Sequence, residues 1–381
     1  MAAVIQEPSG LDEDPAAYLA LPRFNHTLDF DFELSGADSH TATVSYAATD
    51  VPPDASWPVL VFFNGLGGHR LIAAMTEGIA REHSVQILTL DKPGAGSSSR
   101  GVSIPLAART RWMHAALMAV LAHEHITRFA VLSHSNGIFY ALYTLLHLPP
   151  TLTATNWTLS GPFMPQTISG SLSLRLAAAL PTPLPNALGS LLQVVPPVAR
   201  VVGWSSGLLS MSAGMLSTPK TADETPEESE RRKPPHQRGY MHRYVGSACR
   251  TAIMRRGMGE SRLSMGQEAL FCLHGGDTVP GAGGESDSVW GLGAGATDAD
   301  VLRGAFTRIA ELYPDDALRI HVVYGADDGL VPAKGRAWLK DMLESAGLMH
   351  DEDAWTEVPQ AGHDDILFLE EVVGKILRRV E

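Results

Sequence analysis

An α/β fold built on a mostly parallel sheet is what this 381-residue sequence predicts, and three observations predict it. Runs at 58–63 (PVLVFF), 85–90 (VQILTL), 129–133 (FAVLS) and 320–324 (IHVVY) are of strand length and rich in β-branched or aromatic residues. Most show no polar alternation, which is how a strand covered on both faces reads. Helical patterns lie between them, so that strand and helix alternate as the crossovers of a parallel sheet require.

Taken in order, 27–34 and 41–47 read as a leading antiparallel meander. Helices are expected at 73–82, 102–122, 137–147 and 333–345, and a further strand near 354–358. The last helix, 364–380, places Ile366, Leu369, Val373, Ile376, Leu377 and Val380 at three- and four-residue steps. Its acidic residues come first and Arg378 and Arg379 come last, as the helix dipole favours. The rhythm breaks after 159–162 (LSGP). From 163 to 219 the only charged residues are Arg175 and Arg200, and prolines interrupt the stretch. A mixed-charge segment at 223–238 and a glycine-rich one at 281–295 read as exposed or flexible excursions. The expected organisation is therefore a core in two parts, 1–162 and 277–381, with a largely helical cap inserted at 163–276. Residues 277–297 form a flexible glycine-rich loop in this reading.

Composition excludes whole classes. Hydrophobic residues make up 45% and charged ones 19%, ample for a large core and incompatible with disorder throughout. Lys and Arg number 29 against 42 Asp and Glu, a net charge of −13, which repels phosphate backbones and anionic membranes. No nucleic-acid partner is expected. Cys249 and Cys272 cannot build a disulfide framework, and no metal-type Cys/His spacing surrounds them. Glu7, Asp12, Glu13 and Asp14 open the chain without a basic residue ahead of an apolar run, unlike a secretory or transit signal. An intracellular, cytoplasmic setting is expected.

Chemistry concentrates at strand ends. After the strand 129–133 comes 132–138 (LSHSNGI), the context of a nucleophile elbow, with Ser135 as candidate nucleophile and Gly137 as the small residue two places on. Ser133 stands where G-x-S-x-G has its first glycine, a departure from the pattern; the plain alternative is a βα turn rich in Ser and Asn. After the strand 58–63 comes 63–69 (FNGLGGH), whose glycines leave backbone amides open to a pocket. An oxyanion hole needs two donors aimed where charge develops, and the amides of Leu66 and Asn136 are the candidates. The spacing does not match a dinucleotide fingerprint. A third turn, 90–97 (LDKPGAGS), has no necessary chemistry alone. Three such turns at strand ends nevertheless fit the rule that α/β sites lie there.

A serine hydroxyl needs an imidazole as base, and the imidazole needs a carboxylate to hold its tautomer. His363, in 359–365 (PQAGHDD), is the candidate base. Asp328, in 324–332 (YGADDGLVP), is the candidate acid, with Asp327 its rival. Alone, Asp328 reads as a solvated turn aspartate and His363 as one of fifteen histidines, each more readily structural than catalytic. Their order along the chain, Ser, Asp, His, and their places after strands argue for a triad.

Together these segments resemble the α/β-hydrolase superfamily, in the branch of cofactor-free serine hydrolases that carry a cap domain inserted after the sixth strand. The resemblance covers about 57–161 and 298–381. Gly325, Asp328, Val331 and Pro332 fall on that family's acid motif G-x-x-D-x-x-V-P, which favours Asp328. Asn64 and Gly65 occupy the place of its H-G, and 91–97 (DKPGAGS) is similar to its D-R-P-G-x-G-x-S. Relatives of the epoxide-hydrolase and dehalogenase kind carry aspartate at the elbow, so Ser135 argues against both chemistries. The resemblance implies a serine hydrolase that cleaves carboxylic esters, or thioesters or amides, through an acyl-enzyme, without metal or organic cofactor. An acyltransferase or C–C bond hydrolase on the same triad, or a non-catalytic ligand-binding or lipid-associated relative, are the rival readings. The apolar cap suggests a hydrophobic ester as substrate. Its charge-free runs, 176–199 and 201–219, are long enough to touch a bilayer, but their prolines disfavour a regular span. Cap helices burying apolar faces are the plainer reading, peripheral lipid contact through 163–219 the sharper one. Met211, Met215, Met254, Met258 and Met265 are read as cap-core packing.

Overall fold

The computed structural model describes residues 14–33, 39–99, 104–179, 233, 237–280, 286–349 and 351–380. Eight strands form one sheet: β1 (His26–Glu33), β2 (Ser39–Ala48), β3 (Val59–Phe63), β4 (Gln86–Leu90), β5 (Arg128–His134), β6 (Thr153–Ser160), β9 (Arg319–Gly325) and β10 (Trp355–Val358). Their order across the sheet is β1-β2-β4-β3-β5-β6-β9-β10. β1 and β2 pair antiparallel, β2 meets β4 antiparallel, and all other neighbours run parallel. The six parallel strands therefore end at one edge, the edge where the sequence places its glycine-rich turns. A short hairpin, β7 (Thr278–Pro280) with β8 (Ser286–Ser288), stands apart.

Every residue of β3 is buried, because helices cover both faces of the sheet. One apolar cluster packs α3 (Arg109–His123), α4 (Gly137–Leu146), α9 (Asp298–Leu312) and α10 (Ala333–Ser345) against one face. Another packs α1 (Pro15–Leu19), α2 (Ile72–Glu82) and α11 (Glu370–Arg378) against the other. Thr297 starts α9 by accepting the Asp300 amide, satisfying one of the donors a helix start leaves open.

Two helices depart from the sequence expectation. The one expected from residue 102 begins at Arg109, after a 3₁₀ turn over Leu106–Ala108. The one expected over 364–380 is split into a 3₁₀ turn, Asp365–Leu367, and α11, with Leu369 extended between them. A tertiary pairing causes the break: Tyr240 donates its amide to Phe368 and Glu370 donates to Arg238. Those carbonyl and amide groups are claimed from outside, and the helix cannot run through.

Of the expected cap, short α5 (Gln166–Ser169), α6 (Leu172–Ala178) and α7 (Met241–Tyr244) precede the 28-residue α8 (Ser247–His274). At 1.5 Å per residue α8 is about 42 Å long. Cys249, Ile253 and Met254 near its start belong to the cluster on one face, and Phe271 and Cys272 near its end to the other. It thus lies across the edge where the parallel strands end. Met254 and Met265 are buried, as a packing role requires, while Met258 is half-buried. The apolar runs 180–199 and 201–219, with Met211 and Met215, and all of 223–238 except 233, 237 and 238, lie outside the described residues. The glycine-rich stretch is pinned where it is described: Trp290 is fully buried, stacks on Phe139 at 4.2 Å and donates its indole N–H to the Phe271 carbonyl. Among the described residues no helix is long and apolar enough to cross a membrane.

Candidate active site

β5 runs straight into α4 through Ser135, whose φ of 51° puts a non-glycine residue in the left-handed region. The conformation is strained and is held by its neighbours: the Ser135 amide donates to Ser160 and its carbonyl accepts from Phe163. The turn is tight enough that a Cβ on Gly137 would lie 2.2 Å from the Phe63 carbonyl oxygen, so glycine is required there. Ser133, which departs from the usual glycine, fits and is used, accepting the Trp157 indole N–H at 2.8 Å. Ser135 itself is buried except for a small exposed remnant.

The acid and the imidazole are brought together by the joined ends of β9 and β10. Ala326 donates to Val358 and Asp327 donates to Ala361, sewing the two following loops to each other. Gly325 packs so closely on the second loop that a Cβ would sit 2.2 Å from the Ala361 carbonyl oxygen. Asp328 Oδ2 then lies 2.8 Å from His363 Nδ1, while Oδ1 accepts the amides of Leu330 and Val331. Asp327, the rival acid, is exposed. Burial alone raises the Asp328 carboxyl, but the His363 charge, its hydrogen bond and the two amides outweigh this and hold it below the ordinary carboxylate range. Burial lowers the His363 imidazole; Asp328, with a further contribution from Asp364, outweighs it and raises the imidazole above its ordinary value.

His363 Nε2 is buried and has no hydrogen-bond partner among the described residues. Its ring lies 5.0 Å from that of His134, the residue before Ser135, and against Gly161, where a Cβ would come within 3.3 Å. The open nitrogen is thus beside the elbow, although no hydrogen bond joins it to Ser135 Oγ. On the other side, a Cβ on Gly65 would approach both the Ser135 Cβ and the His134 ring to 3.0 Å, so the loop that carries Leu66 rests on the elbow. Neither the Leu66 nor the Asn136 amide has an acceptor among the described residues, the state an oxyanion hole requires.

Sequence reasoning missed a second imidazole–carboxylate pair. His134 Nε2 lies 2.7 Å from Asp364 Oδ1, and its Nδ1 lies 2.8 Å from the Ser160 carbonyl oxygen. His134, His363 and Asp364 together offer ligand atoms within 4.8 Å of one another. Two ligands on one tetrahedral zinc ion stand about 3.3 Å apart. The 2.7 Å contact is shorter and fits a shared proton better than a metal. It also missed Lys92 and Glu268, which are buried beneath the elbow. The residues around Lys92 carried a motif-like turn; nothing near Glu268 marked it.

The sheet order, the strained serine after β5 and the imidazole loop after β10 are those of the α/β-hydrolase fold, which this chain has. Among solved structures it is similar to an epoxide hydrolase from Vigna radiata, with TM-score 0.52 and 10% identity, over 92% of this chain and 96% of that one. It is likewise similar to an esterase from Exiguobacterium antarcticum, with TM-score 0.51 and 13% identity, over 88% of this chain and 94% of that one. Identities this low speak to the fold. No protein-family model and no curated protein matches the sequence.

Proposed function

We propose that the protein is a serine hydrolase that cleaves carboxylic esters of hydrophobic alcohols or acids through an acyl-enzyme. The observation that carries this reading is the pairing of a strained, left-handed Ser135 with an Asp328–His363 dyad whose Nε2 is left open beside it. In this mechanism Ser135 Oγ attacks the ester carbonyl as His363 Nε2 takes its proton. The Leu66 and Asn136 amides hold the oxyanion, and Asn136 is aided by its place at the start of α4, where a helix favours negative charge. Asp328 keeps Nδ1 protonated, so that Nε2 is the basic nitrogen, and stabilises the imidazolium that forms. The imidazolium returns its proton to the leaving alcohol, and water repeats the sequence to free the acid. The elbow carries serine where an epoxide hydrolase resembling this chain would carry aspartate, which supports ester over epoxide chemistry.

A fluorophosphonate probe tests the assignment. Wild-type protein becomes labelled, and Ser135→Ala protein does not. Undiminished labelling of the variant would remove Ser135 as nucleophile. A series of p-nitrophenyl esters of graded chain length then defines the acyl preference.

A further inference from the structure

Beneath the elbow lies a charged cluster that the reaction above does not use. Lys92 follows β4 by two residues, and its ammonium group is buried. Its three protons meet three acceptors: the Gly65 carbonyl oxygen at 3.0 Å, Asn136 Oδ1 at 2.9 Å and Glu268 Oε2 at 2.9 Å. The first two acceptors belong to the two loops that carry the Leu66 and Asn136 amides. The third comes from α8, far away in sequence. Glu268 is saturated in turn. Arg109 Nε and the Tyr140 hydroxyl donate to its Oε1 at 2.8 and 2.6 Å, and Asn136 Nδ2 donates to its Oε2 at 2.8 Å.

The peptide plane makes this arrangement consequential. The Gly65–Leu66 peptide is trans, so its N–H points opposite to its C=O. Gly65 O is held from below by Lys92 and from the side by the Gly68 amide. The Leu66 N–H is therefore turned away from the ion cluster, and it has no acceptor among the described residues. Asn136 is clamped by both ends of its side-chain amide, and its backbone N–H at the start of α4 has no acceptor among the described residues. Glycines at 65, 67 and 68 would otherwise leave this loop many orientations.

We propose that Lys92, anchored by Glu268 of α8, is the positioning residue of the oxyanion hole, locking both donor amides in the orientation that receives the developing charge. The proposal rests on the serine-hydrolase reading and adds that a helix from the inserted segment sets the geometry of the site. A buried ammonium is a costly way to fill space compared with an apolar side chain. Its three directional bonds are what an apolar side chain lacks. Glu268 remains ionised, since Lys92 and Arg109 outweigh the effect of burial and hold its carboxyl at about 2.

The test compares wild-type, Lys92→Met and Glu268→Gln proteins on p-nitrophenyl butyrate. Methionine keeps the length of lysine, and Glu268 keeps Arg109 as counter-ion, so this variant retains a balanced pair. Its kcat falls about 10- to 100-fold with KM changed less than about threefold, because the loss is confined to the transition state. The inhibition constant of an aryl trifluoromethyl ketone, whose adduct places an oxyanion in the same site, rises by the same factor. Glu268→Gln gives a smaller loss with the same signature and carries the test if Lys92→Met does not fold. A kcat per folded molecule within twofold of wild type, or a loss confined to KM, overturns the proposal. Wild-type protein that the fluorophosphonate fails to label overturns the serine-hydrolase reading itself. Labelled wild type alongside a fully active Lys92→Met protein overturns only the positioning role.

Discussion

Two imidazole–carboxylate pairs lie side by side at this sheet edge, and they differ in how many ring nitrogens are engaged. In His363–Asp328 one ring nitrogen is bound and the other, Nε2, is open. In His134–Asp364 both nitrogens are engaged, by the Ser160 carbonyl and by the carboxylate. Their rings are 5.0 Å apart and both are buried, so neither proximity to Ser135 nor burial distinguishes them. What lets an imidazole act as a base is a ring nitrogen whose lone pair is not already engaged; with both nitrogens engaged, the ring is a strut. In the proposed mechanism His363 moves the proton, whereas His134 ties β5 to the loop that carries His363.

Removing the carboxylate of the first pair breaks the contrast most severely. Asp328→Asn leaves the shape but lets the imidazole take the wrong tautomer, and kcat falls about 10⁴-fold, read from steady-state ester hydrolysis. A loss of tenfold or less would show that Asp328 orients nothing the reaction needs. Next in size is the pH response. Only neutral His363 accepts a proton, and Asp328 raises its pKa above the ordinary 6.5. The acid limb of kcat/KM therefore has its midpoint above 6.5, activity growing as pH rises through it. In residual Asp328→Asn activity the midpoint moves down, because burial is then less opposed. A wild-type midpoint below 6.5 contradicts the dyad. The smallest effect on catalysis comes from the second pair. His134→Gln, measured on folded protein, keeps kcat within about threefold, but loses about 1–3 kcal/mol of stability in urea unfolding because Asp364 and the Ser160 carbonyl lose a partner.

The contrast also shows what a sequence displays. Strands β3, β4, β5 and β9 were legible because burial on both faces writes an unbroken apolar run. The strand-end turns that carry Ser135, Asp328 and His363 were legible because their glycine-rich, polar composition marks them locally. The break at Phe368–Leu369 was not, since its cause is a pairing with residues 238–240, which no local period records. Nor was Glu268, whose partners Lys92, Arg109 and Asn136 are each more than 130 positions away. In a helical pattern an isolated glutamate looks like one facing water. His134 was hidden by the same logic, as its role depends on Asp364 arriving from the far end of the chain.

The course of α8 bears on where this protein can be cut and rejoined. Its flank at Tyr240 is hydrogen-bonded to Phe368, Glu260 accepts the Gly96 amide, and Glu268 sits among core charges. Replacing residues 163–276 as a block would carry away the counter-ion of Lys92 and leave an orphaned cation beneath the Ser135 turn. Junctions between 179 and 237 leave those bonds in place.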